Sequence, residues 1–302
     1  MRTPEGIQRS IAYLNRSLAL DSTFAPAWGT YALAHAYGIF YNAVLPDSAR
    51  AAIERASARA LAIDDQLGDA LIAHGMMRFL LDWDFTKADA ELRRGMERNP
   101  TTLAQAFYVF FPWETGRFEE ASAIGKHIID LEPTTAQWHS DMAWNRWSAG
   151  DSVAGRAYAQ QAIRLDSTFG EPYFILAMMD ADGGNHPAAR QAATRTIALS
   201  GPDYPFSQMI DGYVKAKTGD AAGARQVLRA MGNGQRLAQR AVVLAALGDL
   251  DSMYVMFEHA IDAKDPDAIW FLNAIPSLRP LRHEPRYQRL LERMGLPKEW
   301  RQ

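Results

Sequence analysis

The chain has 302 residues, 48% of them hydrophobic, with 32 basic and 35 acidic side chains and a formal net charge of -3. The charges are interspersed without a Lys/Arg-rich run, which argues against a nucleic-acid footprint, and no apolar run is long enough to cross a bilayer. Cysteine is absent, which excludes disulfides, thiolate metal sites and thiol catalysis.

Alanine is abundant, β-branched runs are scarce, and Gly and Pro fall mostly between periodic segments, so the expected chain is all-helical. Pro4 to Ala19 reads as an amphipathic helix with Ile7, Ile11, Leu14 and Leu18 on one face. It has the pattern of the second half of a repeat whose first helix would precede Met1. The first complete unit starts at Phe24, with Trp28, Tyr31, Ala32 and His35 on one helical face. A longer connection, Ile39 to Pro46, leads into the helix Asp47–Ile63. The next pairs are Gly68–Leu81 with Phe85–Arg98, Leu103–Glu114 with Phe118–Asp130, and Ala136–Ser148 with Ser152–Leu165. Pro112 should kink or end its helix, because its ring clashes with the preceding turn. Three more pairs follow: Gly170–Ala181 with Pro187–Leu199, Pro205–Lys217 with Ala221–Met231, and Leu237–Leu247 with Leu250–Ala263. Most pairs are joined through Gly, the usual residue just past a helix end. After Pro266 the pattern fades, Pro276, Pro280 and Pro285 break the chain, and a last helix runs from Pro285 to Met294.

One phrase recurs at the ends of these pairs. Asn99-Pro100, Glu132-Pro133, Asp166-Ser167 and Ser200-Gly201 follow one another at steps of 33, 34 and 34 residues. A fixed period in this range is the mark of a helical repeat array.

The residue types of common catalytic and metal motifs do not fall at the required spacing. None of the seven histidines forms H-E-x-x-H, so no zinc site is expected. His139-Ser140-Asp141 are helix neighbours and point apart, so they make no triad. Asp180 to Asn185 resembles the start of a calcium loop, but Asn185 stands at the required Gly and Gln191 at the required Glu. Gly125-Lys126 lacks the upstream Gly of a phosphate loop, and Gly232-Asn233-Gly234 reads as a plain loop. No catalytic residue, metal or cofactor is assigned.

The units resemble tetratricopeptide repeats. Phe118, Ala121, Ile128, Ile129 and Pro133 match the second-helix pattern, as do Ala88, Leu92, Gly95 and Pro100 in the unit before. Trp28 with Ala32 and Leu71 with Gly75 match the first-helix pattern. Ser22, Asp65, Ser167 and Gly201 depart from it where the terminal Pro would stand. The resemblance implies an all-α, right-handed superhelical solenoid of about seven hairpins: a flanking helix in 1–23, the array in 24–266 and a C-terminal capping segment in 267–302. The stretch Ser277–Tyr287 and the turn Asp82-Trp83-Asp84-Phe85 resemble a bacterial subgroup in which such arrays follow kinase, cyclase or winged-helix domains.

In this family the first helix of each unit lines a concave groove where ligands bind. The resemblance places Tyr37, Met76, Phe79, Phe107, Phe111, Trp144, Trp147, Phe174, Met178 and Tyr213 on that face. Asp69, Glu114, Gln137, Glu171 and Asp182 form a polar edge. The implied function is a non-catalytic scaffold that takes a protein or peptide partner by apolar anchors. The alternative is a regulatory segment of a larger bacterial signalling protein whose catalytic or DNA-binding domain lies outside this chain. Gly29 and Leu33 replace the Lys/Asn of the carboxylate clamp, which argues against chaperone-tail binding. The expected partners exclude nucleic acid and membrane and leave a homo-oligomer open. The expected compartment is the cytoplasm, or the periplasm if the chain is part of a membrane-anchored sensor.

Overall fold

The computed structural model describes residues 4–41, 43–98, 100–202, 204–232 and 236–301. Asn99 of the first closing phrase and Asn233-Gly234 of the loop noted above lie outside these. All regular structure among the described residues is helical. The chain divides into two compact units, Met1–Phe111 with Gly295–Pro297 and Pro112–Met294 with Lys298–Gln302.

The first unit holds α1 (Pro4–Leu20), α2 (Ala25–Phe40), α3 (Pro46–Ile63), α4 (Gly68–Met77), α5 (Phe85–Met96) and α6 (Thr102–Tyr108). α2 pairs with α3 and α4 with α5, and the lead helices α2, α4 and α6 pack on one another. Glycine sets how closely α4 and α5 approach. A Cβ on Gly75 would stand 2.7 Å from Leu92 Cγ, and one on Gly68 would stand 2.4 Å from the Gly95 carbonyl oxygen. The α4 pattern does not stop cleanly at the expected turn. Its last turn widens into a π-helix, Arg78–Asp82, and Trp83 takes a left-handed conformation at φ 58°. A short helix, α7 (Phe110–Glu114), follows α6 after a break at Val109. Pro112 accounts for the break, since it offers no N–H to the preceding turn.

The second unit holds α8 (Phe118–Leu131), α9 (Ala136–Ser148), α10 (Ser152–Leu165), α11 (Glu171–Asp182) and α12 (His186–Ser200). It continues with α13 (Pro205–Lys217), α14 (Ala221–Ala230), α15 (Leu237–Ala246), α16 (Leu250–Asp262), α17 (Asp267–Ala274) and α18 (Pro285–Arg293). Three of its hairpins turn on the same two residues. Gly150, Gly219 and Gly248 take positive φ at the end of the lead helix. The Asp that follows each caps the next helix: Asp151 accepts from Ala154 N at 3.0 Å, Asp220 from Gly223 N at 2.8 Å and Asp249 from Ser252 N at 3.3 Å. Glycine supplies the left-handed backbone and Asp satisfies an orphan N–H of the new helix. The lead helices α9, α11, α13, α15 and α17 contact their neighbours in that order.

α17 is the main departure from the sequence pattern, which assigns no element to 267–274. Ala268 to Ala274 are all buried, so the helix has no polar face and no amphipathic period to betray it. A 3₁₀ segment, Pro276–His283, connects it to α18.

Candidate functional site

The lead-helix faces carry the aromatic and Met side chains, but those side chains are not an exposed wall. All ten are buried, with fractional exposures from 0% (Met76, Phe79, Phe107, Phe111, Met178) through 1% (Trp144, Tyr213) and 3% (Trp147, Phe174) to 5% (Tyr37). The reason is that rings from different lead helices, adjacent and non-adjacent, meet. In the first unit the Tyr37 ring of α2 stacks on Phe107 of α6 at 3.9 Å, Phe40 packs on Phe110 at 4.9 Å, and Phe79 stands edge-on to Phe111 at 5.0 Å. The trough that the repeat pattern implies is filled here by its own lining.

In the second unit the chain fills it with a further segment. Trp270 of α17 lies 5.2 Å from Trp144 of α9, 5.9 Å from Trp113 of α7 and 5.4 Å from Phe206 of α13. Trp144 also meets Trp147 and Phe174, each at 5.3 Å. The 3₁₀ segment continues over the same lead helices. Ser277 Oγ is 3.0 Å from the Tyr213 hydroxyl, and Arg279 donates to the Ser148 carbonyl. Sequence reasoning missed Phe206, Trp270 and Phe271; the only signal was the consecutive Trp-Phe pair inside an apolar run.

The polar edge residues are structural in part. Asp69 is buried and accepts from both Thr101 N and Thr101 Oγ at 2.8 Å, tying α4 to the start of α6. Gln137 Nε2 donates to Asp141 at 3.1 Å and to Glu171 at 3.0 Å. Asp182 accepts from the Tyr213 hydroxyl and pairs with Lys217 at 3.1 Å. Burial, then the Asp182 charge, pushes the Tyr213 hydroxyl well above the usual phenol range.

Glu114 differs from these. It is 1% exposed and neither carboxyl oxygen has a hydrogen-bond partner. Burial, and after it the neighbouring Asp267, pushes its carboxyl well above the usual range. Asp267 accepts from Gln239 Nε2 at 2.9 Å, and burial followed by the charge of Asp265 pushes it up to about 7.

The other motif residues take ordinary roles. The Asp180 carboxylate is held by Arg156 at 2.7 Å rather than by a loop, and His139 Nε2 meets the Pro133 carbonyl at 2.9 Å. Among the described residues no group of three or more His, Asp or Glu is placed to hold a metal ion, and no helix is long and apolar enough to cross a membrane.

Each unit has a recess on its described surface. One, of about 130 Å³, lies in the first unit between α1, α2 and α6 and is lined by Ile7, Leu14, Ala34, Tyr37 and Leu103 with Ser10 and Thr30, whose hydroxyls donate to the Gly6 and Pro26 carbonyls. The other, of about 710 Å³, lies along α11 and α12 beside Tyr173, Leu176, Gln191 and Arg195, and holds none of the ten residues.

Successive helical hairpins, lead helices stacked on lead helices and Gly turns between them define a helical-repeat protein, and the chain has the tetratricopeptide-repeat fold. Solved structures of that fold bear this out. PilF of Pseudomonas aeruginosa matches 77% of this chain and 98% of its own at 17% identity and TM-score 0.53. A human IFIT1 dimer with PPP-AAAA matches 87% of this chain and 69% of its own at 12% identity and TM-score 0.57. Cut9 of the APC/C hetero-tetramer Cut9-Hcn1 matches 97% of this chain and 64% of its own at 18% identity and TM-score 0.51. No protein-family model and no curated protein matches the sequence.

Proposed function

We propose that the chain is a non-catalytic protein-interaction scaffold that takes a segment of a partner protein against its lead-helix face. The supporting observation is the recess between α1, α2 and α6. There a residue of the expected binding set, Tyr37, borders open space. Its volume of about 130 Å³ is well below the ~300–1,000 Å³ of a small-molecule site. It suits one apolar side chain of a peptide, the anchor mode of groove recognition. Leu103 at its rim is 42% exposed and extends the apolar surface outward. The fold also serves in Cut9, which assembles with Hcn1.

The test is a displayed peptide library selected on the intact protein. Peptides that share an apolar anchor should lose binding to Ala34→Phe, which fills the recess, while the melting temperature of that variant stays within a few degrees. Equal binding by the filled variant would remove the recess from the reading.

A further inference from the structure

The inner face of the second unit is closed by α17, and the closure buries a carboxyl that it does not pair. Seven of the eight α17 residues are buried, and Trp270 and Phe271 stack on each other at 4.8 Å within the rings of Trp113, Trp144 and Phe206. Beside this apolar seat stand two carboxyls, Glu114 from α7 and Asp267 from α17 itself. Neither oxygen of Glu114 is hydrogen-bonded. A buried carboxyl without a partner burdens the closed state, and opening to water relieves it.

We propose that α17 is a resident ligand of the second unit's inner face, a detachable helix whose vacated seat takes a partner helix of the same chemistry, a Trp-Phe pair one turn behind an acidic residue. This goes beyond the recess reading above, since it concerns the other unit and different residues. The short helix is bounded by Pro266 and by the extended Ile275 ahead of Pro276, so it can leave without unwinding α16. Its polar fastenings among the described residues include side chains of three neighbouring elements. Gln239 holds Asp267, Arg282 donates to Asn273 Oδ1 at 2.6 Å, and Tyr287 donates to the Leu272 carbonyl.

Protonation governs the seat. The groups that face the two carboxyls include Asp265, which accepts from Ala238 N at 3.1 Å and Asp267 N at 3.0 Å, Gln239 of α15 and Arg236 just before it. On the neighbouring helices, Arg146 of α9 is engaged by Glu119 and Asp151, Asp141 by Gln137, and Asp251, Tyr254 and Asp262 of α16 by Arg286, Glu284 and Arg293. Arg282 of the 3₁₀ segment is engaged by Asn273 and Arg117 by Glu120, Arg240 lies on α15, and the charge that acts on Glu114 is that of Asp267, a like one. Rising pH therefore charges Asp267 beside Asp265 and loosens α17, while acid holds it closed.

Hydrogen exchange on the unaltered protein tests this. After correction for intrinsic rates, the amides of 268–274 should open about ten-fold more readily at pH 8.5 than at pH 6.0, following the ionisation of Asp267, while those of α9 do not change. Asp267→Asn should flatten that dependence. A second arm uses the variant Trp270→Ala/Phe271→Ala and a labelled synthetic peptide of residues 265–283. The variant should bind the peptide, the unaltered protein should bind it at least ten-fold more weakly, and the peptide with Trp270→Ala should not bind. If α17 exchanges only together with α9 and α15 at every pH, it is a core helix and the proposal fails, whether or not the variant folds. A folded variant that ignores the peptide also overturns it. Neither result bears on the recess of the first unit.

Discussion

Replacing Trp144 with Ala separates a binding wall from a core. Trp144 is 1% exposed and its ring has four aromatic neighbours, Trp113 at 6.0 Å, Trp147 and Phe174 at 5.3 Å, and Trp270 at 5.2 Å. Truncating a buried Trp costs about 3–5 kcal/mol through lost transfer energy and the cavity left behind. Aromatic pairs are worth about 0.5–1.5 kcal/mol each beyond burial, so the upper half of the range, about 4–5 kcal/mol, is expected. For a unit of this size each kcal/mol moves the midpoint by about 2–4 °C, so the second unit should melt roughly 8–20 °C lower. Urea and thermal unfolding followed by far-UV circular dichroism measure both quantities. A loss below about 1 kcal/mol would mean the ring borders solvent, and the self-filled inner face described here would be wrong.

Gly68→Ala should destabilise the first unit by about 1–3 kcal/mol, the usual cost of overpacking, because the new Cβ would press on the carbonyl oxygens of Gly95 and Arg98 at 2.4 and 2.5 Å; thermal unfolding measures it. Asp69→Ala should cost about 1–3 kcal/mol, since it strips two hydrogen bonds from Thr101 at the start of α6; a change within 0.5 kcal/mol in urea unfolding would make Asp69 a free edge residue after all. The pH dependence of the second unit has a definite sign. Asp267 is raised from 3.8 to about 7 in the folded state, so its stabilisation is complete below about 4 and is lost as the pH rises through 7. Its unfolding midpoint should fall between pH 5 and 8, and Asp267→Asn should remove most of that fall. In the first unit the sign is opposite for Glu91. Burial opposes its charge, but hydrogen bonds and charges from His74 and Arg78 outweigh it and hold the carboxyl below its usual value. Its stabilisation is lost on acidification, which Glu91→Gln should blunt in an acid titration of stability.

Much of the fold is written in short-range chemistry and is legible for that reason. A Gly that must reverse the chain and an Asp that must cap the next helix are local needs, and Gly150-Asp151, Gly219-Asp220 and Gly248-Asp249 show both. The period of 33 to 34 residues reflects one hairpin per unit, and small residues such as Gly75 mark where two helices touch. α17 was not legible because the signal for a surface helix is the contrast between two faces. A helix buried on every side has none, and eight residues with Pro on both flanks give length no weight either.

The site was half legible, and the missing half is a matter of distance. Position within the repeat is enough to say that Tyr37, Phe107, Trp144 and Tyr213 lie on the lead-helix face. Whether that face is open depends on how near non-adjacent lead helices come, and no pattern inside one repeat encodes this. The stacking of Tyr37 on Phe107 and the edge-on contact of Trp144 with Trp270 decide it. Large rings on a lead-helix face serve either a partner or one another, and the two uses call for the same residue types. What distinguishes them is the polar company. Rings that serve only one another need no acid among them, and Phe79 with Phe85 and Phe111 has none that is unpaired. The rings around Trp270 are accompanied by Glu114, whose carboxyl the closed face leaves without a hydrogen bond. That cost is what the proposed exchange of α17 for a competing helix would relieve.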